Sequence, residues 1–348
     1  MFLNLSFSNE WWNTLYGISS DKDTYMNPIK KLCALEKMDS IMHEKYDKWR
    51  FLAPFNGKPV SSPPVVRIEP YGDRFIPAMF GSPINYQADQ APWANKIKLD
   101  RDYIMSLQPI TEAEFTDHPL VKEIIRQRGI LMANGNACVV QQNSGSVMNT
   151  AMYLRGEDLF YDFYDDPEMI HKLFDLITNM ILVSYDTFCK IDGRDYPMGV
   201  GNCSVGMLSP DIYTEFVRPY DMRIMEHART KGVPFAMHHD SRVDPFITAY
   251  KSFDYLKRFD IGCDTDTALL RREFPDAIIN VYIYIGILHE LSSKEIFDYM
   301  VETAEKGGPL AKIGFTIADV DEGVSTDKIE SICAAYAFLK DMEGKACE

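Results

Sequence analysis

No apolar run in this chain reaches the roughly 18 residues that a membrane-spanning helix needs; the best stretch, 281–288, has the length of one strand. A basic excess is missing too. Lys and Arg number 36 against 51 Asp and Glu, a formal net charge of −15. That balance speaks against a nucleic-acid footprint, which needs a basic face, and against docking on anionic membranes. The opening residues, MFLNLSFSNEWWNTLYG, lack a basic segment and carry Glu10, so no secretory signal is expected. Disulfide patterning is absent. The seven cysteines (33, 138, 189, 203, 263, 333 and 347) are scattered, odd in number and free of CxxC. They read as reduced thiols of a cytoplasmic protein. There is no GxGxxG after a strand, no GxxxxGK[ST], no GxSxG, no HExxH and no EF-hand loop. Nucleotide-driven chemistry and the common hydrolase triads are therefore disfavoured.

What is present is globular. Of 348 residues, 46% are apolar and 12% aromatic, enough for a large core without disulfides or a structural metal. The first 60 residues read as helical and aromatic, with Trp11, Trp12 and Trp49. From Pro64 onward, strand-like and helix-like stretches alternate. The strand candidates are VVRI near 65–68, 137–142, 197–205, 234–238, 260–264, 278–285 and 311–315. Helices are expected after Asp165-Asp166-Pro167-Glu168, after Ser209-Pro210-Asp211, after the capping box Ser292-x-x-Glu295, and from Thr326. About eight strands in one unbroken series predict an α/β fold, a (β/α)8 TIM barrel over residues 61–348, behind an N-terminal helical extension over 1–60.

A barrel places its chemistry at the C-terminal ends of its strands. Those positions hold Glu69 and Tyr71; Gln141, Gln142 and Asn143; Asn202 and Cys203; His238, His239 and Asp240; Asp264 and Asp266; His289; and Thr316 and Asp319. The sharpest cluster is His238-His239-Asp240. Alternate residues of a strand share a face, so His238 and Asp240 can converge on one ion, and imidazole with carboxylate suits zinc or a similar divalent metal. The plainer reading makes one of the histidines a hydrogen-bonded core residue and Asp240 a helix cap. Cys203 and Cys263 read most simply as small core residues, Asp264 and Asp266 as caps, and Tyr282 with Tyr284 as packing.

Several segments occur together in a characteristic order. They are DQAPW at 89–93, YLRGE at 153–157, DDPE at 165–168, LSPDIY at 208–213, FVRPYD at 216–221, the segment 237–244 and the tail 319–329. As a set, spanning about residues 45–345, they resemble the uroporphyrinogen decarboxylase superfamily. The resemblance implies a (β/α)8 barrel and one of two chemistries. Decarboxylases carry an N-terminal Arg-rich motif, whereas 49–67 holds only Arg50 and Arg67. The DQAPW and SPDIY…FVRPYD segments look most like the other branch, the corrinoid-dependent methyltransferases. The coenzyme M enzymes of that branch hold zinc through a His-x-Cys pair and a distant cysteine. Here those positions fall on His238, Asp240 and Thr316, so both cysteines are replaced.

Harder ligands favour activation of oxygen over activation of a thiol. The expected function is thus the O-demethylase component of a corrinoid system. It would transfer a methyl group from a methoxylated substrate, expected to be aromatic, to Co(I) of a corrinoid supplied by a partner protein. His238, Asp240 and Cys263 are the expected zinc ligands. His238, His239 and Asp240 are the expected catalytic groups, with proton donation by a histidine as the route without metal. Gln141, Asn202, Tyr282 and Tyr284 are expected to bind substrate. The alternatives are a uroporphyrinogen decarboxylase-like decarboxylase and a methylcobamide:thiol methyltransferase. A homodimer is compatible with the resemblance.

Overall fold

The computed structural model describes residues 1–46, 64–142 and 145–346. The expected boundary at residues 60 and 61, together with Trp49, Arg50, Pro63, Asn143, Ser144 and Cys347, falls outside them. Ten strands form among the described residues: β1 Phe2–Phe7, β2 Val66–Arg67, β3 Ile84–Gln87, β4 Gln90–Ala94, β5 Cys138–Val139, β6 Met198–Gly201, β7 Phe235–His239, β8 Leu256–Gly262, β9 Ile278–Ile283 and β10 Ile313–Val320.

Six of these make one curled parallel sheet in the order β1-β10-β9-β8-β7-β6. A parallel pair, β2-β5, stands apart from it, and β3-β4 is a separate antiparallel hairpin. The alternating βα architecture is therefore as expected. The closed eight-stranded ladder is not: among the described residues no backbone pairing joins β5 to β6 or β1 to β2.

The expectation of a purely helical N-terminal segment needs correction. Residues 2–7 form β1, which pairs in parallel with β10 from Phe2↔Gly314 onward. The physical reason is its period-two pattern: Leu3, Leu5 and Phe7 are buried, while Asn4 and Ser6 are exposed. Helices do follow, at Asn9–Tyr16, Lys22–Met26 and Pro28–Tyr46. Gly314 has no side chain because the Phe2 ring lies where one would go; a Cβ there would sit 2.4 Å from a ring carbon. The strands predicted at 260–264 and 311–315 are shifted. β8 begins at Leu256 and ends before Cys263, and β10 runs on to Val320, taking in Thr316 and Asp319.

Helix starts follow the sequence chemistry closely. Asp166 caps the 26-residue helix Pro167–Asp192, with Pro at its first position. Ser292 and Glu295 form a reciprocal capping box on Ser293–Gly307. Ser209 caps Pro210–Ile212, which passes through a π segment, Tyr213–Val217, into Arg218–Lys231. Pro219, with no N–H to donate, sits at that junction. Large aromatics such as Tyr185, Tyr213, Tyr250, Phe235 and Phe259 fill the layer between sheet and helices. No described helix is long and apolar enough to cross a membrane. Cys33, Cys138, Cys189, Cys203 and Cys263 carry free thiols.

Candidate functional site

Adjacent residues of a strand face opposite ways, and β7 shows this at its C-terminal end. His239 is completely buried among the helix-side aromatics. Its Nδ1 is 2.6 Å from the Tyr250 hydroxyl and its Nε2 is 2.8 Å from Ser241 Oγ. Burial pulls the imidazole down to about 4. His239, expected among the catalytic groups, is thus a neutral core histidine with both ring nitrogens occupied.

His238 faces the other side of the sheet and is half-buried. Its Nε2 lies 3.7 Å from Asp240 Oδ2, and its Nδ1 lies 3.7 Å from Asp260 Oδ2. Burial alone would favour the neutral ring. The carboxylates of Asp240 and Asp260, and then the Cys203 thiol, outweigh it and push the imidazole up to about 12. Asp240 titrates below the ordinary carboxylate range, because its interactions with His238 outweigh burial, which acts the other way. The Tyr282 ring meets His238 edge-on, with centroids 4.9 Å apart.

Cys203 completes the group. It opens the turn Cys203–Met207 directly after β6, the strand beside β7, and the register Gly201↔His238 brings the two strand ends level. Asn202 N–H donates to the His238 carbonyl at 2.5 Å, which locks that alignment. One donor atom each from Cys203, His238 and Asp240 lies within 4.8 Å of the others. Cys203 is exposed, so its reading as a core residue is corrected. Cys263, expected as a metal ligand, is not in this group. Its thiol is pushed up by burial, and its carbonyl accepts from the Tyr299 hydroxyl at 2.7 Å. The reason is register: Cys263 lies beyond the end of β8, on the next strand over.

Beneath His238 a polar row crosses four strands, β8, β9, β10 and β1. Asp260 Oδ1 accepts from Arg258 Nε at 2.6 Å and from Asn280 Nδ2 at 2.9 Å. The Asn280 amide also donates to Thr316 Oγ1 at 3.0 Å, and Asn4 Nδ2 donates to the same oxygen at 3.3 Å. Thr316, expected from the resemblance at the distant cysteine position, is therefore engaged inside the sheet and is absent from the donor cluster.

The expected substrate residues divide. Tyr282 stands against His238. The Tyr284 phenol is raised by burial first, and then by Cys263, Asp240, Asp264 and Cys203, and its hydroxyl lies close to the Asp240 backbone across Gly262. Gly262 makes room for this approach: a Cβ there would meet the Tyr284 hydroxyl and the Asp240 carbonyl, each at 2.6 Å. Asn202 and Gln141 are occupied elsewhere. Asn202 is fully buried and donates to Asp221 Oδ2 at 2.8 Å, where the Tyr213 hydroxyl also donates at 3.1 Å. Gln141 donates to the Gln142 carbonyl. Asp266 caps the helix Thr267–Glu273, as the plainer reading held.

Sequence reasoning placed Cys203 at a strand end but read it as a core residue, and it missed Asp260, Asn280 and Asp221 as parts of this region. Cys203 stood at a strand end, so the signal existed; a pairing register was needed to act on it.

Thiolate, imidazole and carboxylate together form a mixed S/N/O donor set that suits zinc, and three protein ligands leave one position open. Two ligands of one tetrahedral zinc stand about 3.3 Å apart, close to the 3.7 Å between His238 Nε2 and Asp240 Oδ2. The residues present fit such an ion.

Residues 70–272 match the family model described as Uroporphyrinogen decarboxylase (URO-D). Among solved structures, the chain is similar to a methyltransferase from Methanosarcina mazei, with a TM-score of 0.66 and 12% sequence identity, over 97% of this chain and 92% of that one. No curated protein sequence matches it.

Proposed function

The chain belongs to the uroporphyrinogen decarboxylase family, and from that premise we propose that it is a methyltransferase. It moves a methyl group from a methoxylated, aromatic substrate to Co(I) of a corrinoid carried by a partner protein. The observation that carries this reading is the Cys203–His238–Asp240 cluster at the ends of β6 and β7. The fold it shares with the M. mazei methyltransferase agrees with it.

In the transfer, the methyl carbon leaves its oxygen, and the electron pair of the C–O bond stays on that oxygen. A corrinoid Co(I) presented by the partner would supply the electron pair that accepts the methyl group. An alkoxide or phenoxide leaves poorly unless its charge is met as it forms. Cys203, His238 and Asp240 are the residues that would hold a divalent metal, which would supply Lewis acidity to that oxygen. The chain itself fixes the geometry. Asp260 holds the Nδ1 side of His238 and so turns Nε2 toward Asp240. The rings of Tyr282 and Tyr284 flank the cluster and offer faces for an aromatic substrate. With one thiolate and one carboxylate in the set, an ion held there would be less electron-rich than with two thiolates, which would favour an oxygen leaving group over a thiol acceptor.

Elemental analysis of the wild type and of Cys203→Ser, His238→Ala, Asp240→Ala and Cys263→Ser tests the cluster. Near-stoichiometric zinc is expected in the wild type and Cys263→Ser, and is lost in the other three. The metal-containing protein should then convert methoxybenzenes and cob(I)alamin to phenols and methylcobalamin. A wild type that takes up no zinc when supplied with it overturns the metal-assisted reading. Zinc retained in Cys203→Ser but lost in Cys263→Ser overturns the ligand set.

A further inference from the structure

A second cavity lies apart from the cluster, where the helices that follow β1 meet the segment after β2. Its volume is about 180 Å³, and its wall includes Phe7, Trp12, Ser20, Tyr25, Lys31 and Glu69. None of the three cluster ligands lines it. About six waters occupy such a volume in the liquid, so the cavity takes a molecule of only a few heavy atoms more.

Its charges are unusual. Lys31 Nζ and a Glu69 carboxylate oxygen are 3.8 Å apart, beyond hydrogen-bond length, and their side chains are 18% and 32% exposed. The ammonium also lies 4.1 Å from the centre of the Tyr25 ring. Burial lowers the Lys31 pKa and raises that of Glu69, and each opposes the shift of the other. Arg67 and Asp73, the other charges acting on Glu69, oppose one another. Desolvated ions are costly unless hydrogen bonds complete their shells. Here one cation and one anion stand side by side in a cavity wall, and among the described residues neither has another side-chain partner at ion-pair distance.

A simple anion would pair with Lys31 but be repelled by Glu69, and a simple cation would meet the reverse. A dipolar ion satisfies both. We propose that this cavity binds a small zwitterion of the amino-acid class, its carboxylate on Lys31 and its ammonium on Glu69, with its aliphatic part against Trp12 and Phe7. The hydroxyl of Ser20 is a further polar contact within the same wall. This site does not depend on the metal-centred reading, and each stands or falls alone.

Isothermal titration calorimetry on the full chain tests it, with 4-aminobutyrate, L-valine and glycine betaine as zwitterions and isobutyrate and isobutylamine as singly charged controls. At least one zwitterion is expected to bind saturably, with the controls weaker by about tenfold or more. Lys31→Met and Glu69→Gln should each weaken the zwitterion by a similar factor. If either fails to fold, Ala34→Leu, which fills the cavity without removing a charge, should abolish binding. The proposal is overturned if none of the three zwitterions binds, if the controls bind equally well, or if binding survives in the folded variants.

Discussion

Replacing Asp260 by Asn tests how the candidate site is held. The substitution keeps the shape of the side chain but removes its charge and puts an amide donor where a second acceptor stood. Three contacts change together: Arg258 Nε at 2.6 Å, Asn280 Nδ2 at 2.9 Å and His238 Nδ1 at 3.7 Å. The Asp260 side chain is 16% exposed, but that of Arg258 is 36% exposed, so water screens the cation that loses its partner. The stability cost is therefore about 1–3 kcal/mol, below the roughly 3–5 kcal/mol of a sealed ion pair. In a chain of this length that lowers Tm by only a few degrees. The effect on metal binding is expected to be larger. A carboxylate behind a ligating histidine fixes its orientation and basicity, and losing it weakens metal binding by about 10–100-fold. Competition for zinc against a chromogenic chelator measures the affinity, and circular dichroism shows that the fold persists. Affinity within about twofold of wild type, in a protein where Asp240→Ala abolishes binding, would refute the role given to Asp260.

Two other outcomes follow from residues already described. Burial raises the Asp221 carboxyl to about 7, against hydrogen bonds from Asn202 and Tyr213 that lower it, so the folded chain holds this proton where the unfolded chain has released it. Stability should fall as pH rises from about 4 to about 7, by up to about 1.4 kcal/mol per unit, and then level off. Urea denaturation at a series of pH values should show this contribution missing in Asp221→Asn; identical pH profiles would refute it. Gly314→Ala forces the Phe2 ring aside and should cost about 1–3 kcal/mol. Combining it with Phe2→Ala should cost less than the sum of the two single changes, and strict additivity in urea unfolding would show that the ring and the glycine do not share that space.

The parts of the molecule legible in the sequence were those set by local pattern. Asp166 with Pro167, Ser209 with Pro210, and Ser292 with Glu295 announced their helices through capping chemistry. IINVYI announced β9 through β-branched composition. The spacing of His238 and Asp240 correctly put both on one face of a strand end. What stayed hidden depends on register between distant segments. Cys203 joins His238 only because Gly201 pairs with His238, and no local feature separates that cysteine from Cys263. FLNLSF is as alternating as any strand here, but it runs straight into NEWWNTLY, and the helical aromatic segment dominates a reading made by window. His238 and His239 are neighbours whose opposite fates follow from the pleat. Choosing between them required knowing which side carries Tyr250.

The pairing of β1 with β10 also bears on how the protein is made. Asn4 and Thr316, which bond across it, are 312 positions apart. During synthesis Asn4 leaves the ribosome 312 positions ahead of the residue it bonds on β10. Until β10 follows, the apolar side of β1, Leu3, Leu5 and Phe7, has no sheet to cover it. β10 in turn has a bare edge until β1 arrives, and a bare parallel edge invites foreign strands. The sheet is thus completed only once β10 is out, at the loop-closure cost of a very distant contact. Throughout that interval the apolar side of β1 is open to water and to other chains, the situation in which nascent proteins are prone to aggregate.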